Sequence, residues 1–289
     1  MIIDIRNRPP FQGIAEHYLF TASRRRMFAG RFGLSIPVSV MEKSMTHYLA
    51  EMDSAGIDKA VVPLRKYPAG GPKGMDNQDL VELLAQYPQR FIGFAGIDPL
   101  DGTQALAEIR KFVQAGPCRG ILLEPGYCQE PLYITDERIY PIYERCQQEK
   151  IPVLLSFGGF VAPDSSYNQP QLVNQVAKDF PKLHLTLAHG GWPFAQEMCH
   201  IAFNWENVYL SPDIYAVNVP GCQDFLAAAN YFVPDKIIFG SAYPVLSMGD
   251  TVAYYLEHLH PEHRDQVMYQ NALKFLGMEE EQYALGKNL

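Results

Sequence analysis

The chain begins MIIDIRNRPP, residues 1–10. Ile2, Ile3 and Ile5 read as a buried strand, and Arg6 and Arg8 stand where that strand runs out. Strand alternation assigns Asp4, Arg6 and Arg8 to one face. An apolar run of this length followed at once by charge is one beat of an α/β pattern, provided the beat recurs.

It does recur. KAVVPL (59–64), FIGFAGI (91–97), GILLEP (120–125), PVLLSF (152–157), HLTLAH (184–189), VYLSPD (208–213) and IIFGSA (237–242) follow. Each has strand length and is rich in the residues of parallel strands buried on both faces. Amphipathic segments lie between them. TQALAEIRKFVQAG (103–116) places Ala105, Leu106, Ile109, Phe112 and Val113 on one helical face and ends at Gly116. QPQLVNQVAKDF (169–180) starts with Pro170 near its first turn and gathers Leu172, Val173, Val176 and Phe180. VMEKSMTHYLAEMDSAG (40–56) reads as one helix with Met41, Met45, Tyr48, Leu49 and Met52 inward. Strand and helix alternating eight times predict a single (β/α)8 TIM barrel over residues 1–289. A doubly wound open sheet is the competing fold, but no G-x-G-x-x-G follows the first strand. The stretch from Pro9 to about Ser39 is the longest without periodicity, and in a barrel it lies as a loop over the C-terminal mouth.

Composition narrows the functional classes. Of 289 residues, 47% are hydrophobic and 19% charged, and the net charge is −8. That balance suits a large core and argues against a general nucleic-acid surface. The basic run Arg24-Arg25-Arg26 reads either as a solvated loop or as a clamp for an anion. Five cysteines, Cys118, Cys128, Cys146, Cys199 and Cys222, show no C-x-x-C spacing, so reduced thiols in a cytoplasmic protein are expected. No signal peptide and no bilayer-spanning run are read, so no membrane contact is expected.

Barrel chemistry sits at the carboxyl ends of the strands. Those ends carry Arg6, Arg8, Arg65, Asp98, Glu124, Ser156, His189, Trp192, Asp213, Tyr215 and Tyr243. His189 lies in LAHGGWPF, where two glycines turn the backbone, and it shares a strand face with Leu185 and Leu187. Its near-neutral pKa makes it the acid/base candidate, with Glu124 and Asp213 as carboxylates that either move protons or neutralise arginines. Ser156 lacks a nucleophile elbow. The His258, His260 and His263 cluster reads as a solvated inter-helix loop, and His17 and His47 as surface or lid residues.

These motifs, in this order, resemble the amidohydrolase-related family of (β/α)8 hydrolases and decarboxylases, the group that includes aminocarboxymuconate-semialdehyde decarboxylase. IIDIRNRPP is similar to the family's opening Ile-Asp-x-His-x-His block, LTLAHGGWPF to its strand-six histidine block, and KIIFGSAYPV to its Phe-Gly-Ser-Asp-Tyr-Pro block. NALKFLGM resembles its closing helix. The resemblance implies metal ligands at positions 6, 8, 156 and 189, a catalytic aspartate at 242, and subunits that often form homo-oligomers. The residues present are Arg6, Arg8, Ser156, His189 and Ala242.

A guanidinium stays protonated. At 4 Å and an effective dielectric of 20, two guanidinium groups repel a divalent ion by on the order of 16 kcal/mol before screening. The expectation is therefore no metal and no other cofactor. Two readings follow. In one, a metal-independent hydrolase or carbo-lyase grips a small anionic, carboxylated substrate with Arg6, Arg8 and Arg65. His189, Glu124 and Asp213 move protons, and Ser156, Trp192, Tyr215 and Tyr243 help to line the pocket. In the other, the barrel is a silent pseudoenzyme that binds a small anion or a partner protein. Arg6 and Arg8 are then either a ligand clamp or a salt-bridge plug made with Asp4, Glu124 or Asp213.

Overall fold

The computed structural model describes residues 1–23, 31–66, 75–160 and 162–278. The run 24–26 lies outside them. Seven parallel strands follow one another round the sheet in chain order. They are β1 (Ile3–Asp4), β2 (Lys59–Pro63), β3 (Phe91–Gly96), β4 (Gly120–Leu123), β5 (Val153–Ser156), β6 (Leu185–Ala188) and β7 (Val208–Ser211). The eighth predicted strand is an extended segment without regular strand pairing. Ile238 N–H donates to Leu210 O at 2.8 Å, and Ile5 N–H donates to Phe239 O at 3.1 Å. Phe239 N–H turns away to Val267 O, which interrupts the ladder. Bridges Leu210–Ile237 and Asn7–Tyr243 nonetheless close the curled sheet into the predicted barrel.

A helix follows each staff of the barrel: α1 (Met45–Ser54), α2 (Asn77–Gln86), α3 (Gly102–Ile109), α4 (Tyr140–Gln148), α5 (Pro170–Asp179), α6 (Ala195–Asn204), α7 (Cys222–Ala227) and α8 (Met248–His258). Ser44, Asp76, Asp101 and Ser247 cap α1, α2, α3 and α8 by accepting backbone N–H groups. The segment 40–56 is not one helix. Lys43 takes φ +51°, and the chain breaks into a one-turn helix, Val38–Glu42, and α1. Ser44, a better cap than interior residue, explains the break, and it leaves Met41 exposed.

Two apolar layers sort the strand residues. Ile121, Leu123, Leu155, Leu185, Leu187 and Leu210 pack outward against the helices. Ile3, Ile5, Val61, Phe94, Leu122, Leu154 and Ala188 fill the barrel, which α9 (Asn271–Leu276) closes from beneath with Leu273, Phe275 and Leu276. Leu122 and Leu154 point inward, so the inward residues one step above them are Glu124 and Ser156. Among the described residues no helix is long and apolar enough to cross a membrane.

The first loop is more built than its sequence suggests. Gln12–Glu16 and Tyr18–Phe20 form short 3-10 turns, and Phe11, Ile14, Leu19 and Phe20 are buried. His17, expected on the surface or a lid, is buried with them, because the loop folds down onto the rim. His47 is exposed as expected. His258 bonds the carbonyl of Tyr254 and His260 faces Tyr231, so the three late histidines do not converge. All five cysteines are free and buried.

Candidate functional site

The two opening arginines reach the mouth through an irregularity in β1. Asp4 pairs with Ala60, so an uninterrupted ladder would bring Arg6 N–H to Val61 O. Asn7 N–H makes that bond instead, at 3.0 Å. One residue is therefore extra, as in a β-bulge. The displaced Arg6 N–H is caught by Asp4 Oδ1 at 3.1 Å. Asp4 also accepts from Asn7 Nδ2, Ser241 N–H and Ser241 Oγ. Burial raises the Asp4 carboxyl above its ordinary pKa despite these four donors. The predicted common face for Asp4, Arg6 and Arg8 is thus wrong. The bulge separates Asp4, which clamps the backbone, from the two guanidiniums.

Arg6 Nη1 donates to Asp213 Oδ2 at 3.2 Å, with both groups buried. Asp213 also orders His189: its Oδ2 accepts His189 N–H and its Oδ1 lies 3.1 Å from Nδ1. Burial opposes ionisation of Asp213, but the His189 ring, Arg6 and the Ile214 N–H hold its carboxyl below the usual range. Burial first, and then Arg6, lower the His189 pKa against the pull of Asp213. The ring is therefore neutral at pH 7, with its proton on Nδ1 toward the carboxylate and a lone pair on Nε2.

His189 arrives here by backbone strain and not by strand parity. Leu185 and Leu187 face the helices, whereas His189 has φ +70° and swings to the mouth. Asp213 at +46° and Ala242 at +55° share that rare conformation at neighbouring strand ends. Non-glycine strain of this kind gathers at functional sites.

Arg65 forms the second pair. Its Nε and Nη2 each donate to a Glu124 carboxylate oxygen at 2.6 Å, and Nη1 donates to Tyr18 Oη at 2.8 Å. The guanidinium also lies over the Tyr127 ring, 4.5 Å from its centroid. Ser156 Oγ donates to Glu124 Oε1 at 2.7 Å. Burial would raise the Glu124 pKa, but Arg65, with Arg8 and Arg6 behind it, pulls it down to about 2. Glu124 neutralises Arg65, not Arg6.

Arg8 is different. It is 1% exposed, and its Nε and Nη2 have no hydrogen-bond partner among the described residues. Burial and then the charges of Arg6 and Arg65 push its pKa down to about 9, so it remains a cation at neutral pH. Trp192 and Tyr215 stack at 4.8 Å and 13°, with Tyr215 edge-on to His189, and form an aromatic wall beside these charges. Tyr243 does not join them. It is fully buried, its hydroxyl is 2.8 Å from Ser39 Oγ, and its ring packs on Tyr48. His17 is the residue that sequence reasoning missed. Its ring lies 4.4 Å from that of Tyr18, and no local motif marks it.

The amidohydrolase family profile matches residues 37–278. The chain belongs to that family. Its barrel superposes on the crystal structure of the uncharacterised TIM-barrel protein Bb4693 of Bordetella bronchiseptica with a TM-score of 0.90, at 34% identity over 96% of this chain and 98% of that one. A 2,6-dihydroxybenzoate decarboxylase from Rhizobium shares the fold at 16% identity and TM-score 0.70, covering 96% of this chain and 98% of its own. So does the 5-carboxyvanillate decarboxylase of Novosphingobium aromaticivorans, complexed with manganese and a nitrobenzoic acid, at 16% identity and TM-score 0.66, covering 96% of each chain.

The family's metal position can be tested against this member's donor set. Arg6 and Arg8 have no lone pair to give and bring positive charge, Ala242 brings a methyl group, and the Ser156 hydroxyl is committed to Glu124. Among the described residues no three His, Cys, Asp or Glu side chains are gathered to hold a metal ion. These residues do not fit a divalent cation. They fit an anion.

Proposed function

We propose that this amidohydrolase-family barrel binds a small carboxylated molecule at its mouth and acts on it as a hydrolase or carbo-lyase without a resident metal. One observation carries the reading: the buried Arg8 fork, Nε and Nη2, has no partner among the described residues. Arg65 uses the same two atoms to hold Glu124. A ligand carboxylate would complete Arg8 in the same bidentate way. An unpaired buried guanidinium is costly, and a fold retains one where it meets a ligand.

Within this proposal Arg8 anchors the carboxylate while Arg6 and Arg65 supply field. Trp192 and Tyr215 wall one side. His189 Nε2 takes a proton from substrate or water, and Asp213 holds the ring and the tautomer for that task. Glu124 sets Arg65 and Ser156 in place. Its carboxylate has its lone pairs committed to them, so His189 is the stronger base candidate. Metal chemistry has no part in this scheme, because of the four positions that the resemblance gives to the ion two carry guanidiniums and a third a hydroxyl committed to Glu124.

A specific observation favours a second reading. Ala242 stands where the family resemblance places an aspartate, and both carboxylates at the mouth are held in ion pairs. On that reading the barrel binds the anion and does not turn it over. The test is calorimetric titration with a panel of aromatic and aliphatic carboxylates, followed by product analysis with the binders. Binding that is lost in Arg8→Ala supports the carboxylate site, and product formation lost in His189→Gln selects the enzyme. A stoichiometric transition metal in the purified protein, bound through His189, would defeat the metal-free scheme.

A further inference from the structure

Beyond the Arg8 fork, two buried donors at the mouth have no partner among the described residues: Arg6 Nε and His17 Nε2. His17 Nδ1 accepts the Leu19 N–H at 3.3 Å. In a neutral ring that places the proton on Nε2, and Nε2 is buried with no partner among the described residues. Burial, followed by the charges of Arg65, Arg8 and Arg6, drives the His17 pKa well below its usual value, so the ring is neutral and lies within reach of all three arginine fields. Nε2 is then a donor and cannot accept.

Charge bookkeeping at the mouth sharpens this. Arg6 is offset by Asp213 and Arg65 by Glu124, while Arg8 has no such counter-charge among the described residues. One negative charge completes the site, and a carboxylate brings that charge with two oxygens for the Arg8 fork. Arg6 Nε and the His17 N–H remain. Arg6 already has its counter-charge in Asp213, and the neutral His17 ring needs none, so what the His17 N–H calls for is an acceptor that carries no charge of its own.

Building on the carboxylate reading above, we infer that His17 is a specificity-determining residue. Its Nε2–H donates to an uncharged carbonyl oxygen of the ligand, so the site prefers oxo-monocarboxylates over plain monocarboxylates. A plain acid leaves the His17 donor buried and unsatisfied, and sites built around such a donor reject the analogue that lacks the matching acceptor.

Pentanoate, 2-oxopentanoate and 4-oxopentanoate test this, being equal in charge and differing in one carbonyl at two reaches. At least one oxo acid is expected to bind wild-type protein about tenfold or more tighter than pentanoate. In His17→Phe that advantage disappears while pentanoate affinity stays the same or rises, and His17→Gln, which retains an N–H, recovers part of it. An advantage that survives His17→Phe overturns the inference. So does equal binding of all three acids to wild type when that binding still requires Arg8; the carboxylate reading then stands alone. Absence of Arg8-dependent binding by any of the three defeats the carboxylate reading itself.

A wild-type measurement guards against a variant that fails to fold. In 15N-histidine spectra of the wild type, the ring protonated at Nε2 and assigned through the hydrogen bond its Nδ1 accepts from the Leu19 N–H shifts with the oxo acid and not with pentanoate. Equal shifts with both acids count against the inference.

Discussion

Arg65 holds Glu124 through two parallel 2.6 Å hydrogen bonds from Nε and Nη2, and Arg8 presents the same pair of atoms to no partner among the described residues. The two guanidiniums are chemically identical, and the charge of Arg65 sits close enough to lower the proton affinity of Arg8. They differ in what completes them. Arg65 is satisfied by the fold, and in the proposed function a ligand carboxylate satisfies Arg8.

Arg8→Met removes that unsatisfied charge and keeps much of the side-chain volume. The variant should be more stable than wild type by about 1–3 kcal/mol, because a buried cation without a counter-charge is replaced by an apolar chain. It should also lose carboxylate-induced stabilisation. Paired thermal melts with and without the ligand read both effects, and a destabilised variant would show that Arg8 is structural.

Glu124 makes stability depend on acid. Its folded pKa of about 2 lies below its ordinary value of 4.5. The stabilisation is therefore present above pH 4.5 and is lost as pH falls toward 2. The difference corresponds to about 3 kcal/mol. Glu124→Gln should flatten this part of the stability profile. It should also cost about 3–5 kcal/mol at neutral pH, because Arg65 is left buried and unpaired. Denaturant melts between pH 2 and 7 check both.

His189 is buried and neutral, with its pKa depressed. The unfolded chain takes up a proton near pH 6.5, and the folded site does so only at lower pH. Stability from this group is therefore complete above pH 6.5 and declines below it. Any turnover should stay level across neutral pH and fall on the acid side, below 6.5, as Nε2 is protonated. An activity profile rising from pH 7 to 9 would argue against His189 as the base.

Gly159 tests the aromatic wall. It has φ +66°, and a Cβ there would collide with the Tyr215 hydroxyl and ring. Gly159→Ala should cost about 1–3 kcal/mol through strain and displaced packing. It should also weaken binding of aromatic carboxylates more than aliphatic ones, since Tyr215 stacks on Trp192. Equal losses for the two classes would remove Tyr215 from the binding surface.

Asp4→Ala tests the bulge. Four donors, from Arg6, Asn7 and Ser241, would lose their acceptor inside the core. The expected cost is about 3 kcal/mol or more. Carboxylate binding should fall with it, because Arg6 and Arg8 are aimed by the same turn. A stable variant with intact binding would mean that the backbone holds its shape without Asp4.

The barrel was legible in the chain itself. Parallel strands buried on both faces must be apolar throughout, and their helices must be amphipathic, so the alternation survives as a local pattern from Ile3 to Leu276. Candidate site residues followed from one topological rule, since strand ends such as Glu124, Ser156 and His189 meet at a single rim. Their pairings were not legible. That Arg65 takes Glu124, Arg6 takes Asp213 and Arg8 is left open depends on contacts between residues 59 and 207 positions apart for the first two pairs. Local alternation also misdirected the reading at two places. An extra residue in β1 parted Asp4 from the arginines, and a left-handed φ at His189 overrode the strand's parity. Periodicity is written in neighbours along the chain. Bulges, strained turns and the burial of His17 are imposed by neighbours in space, and only the closed barrel brings those together.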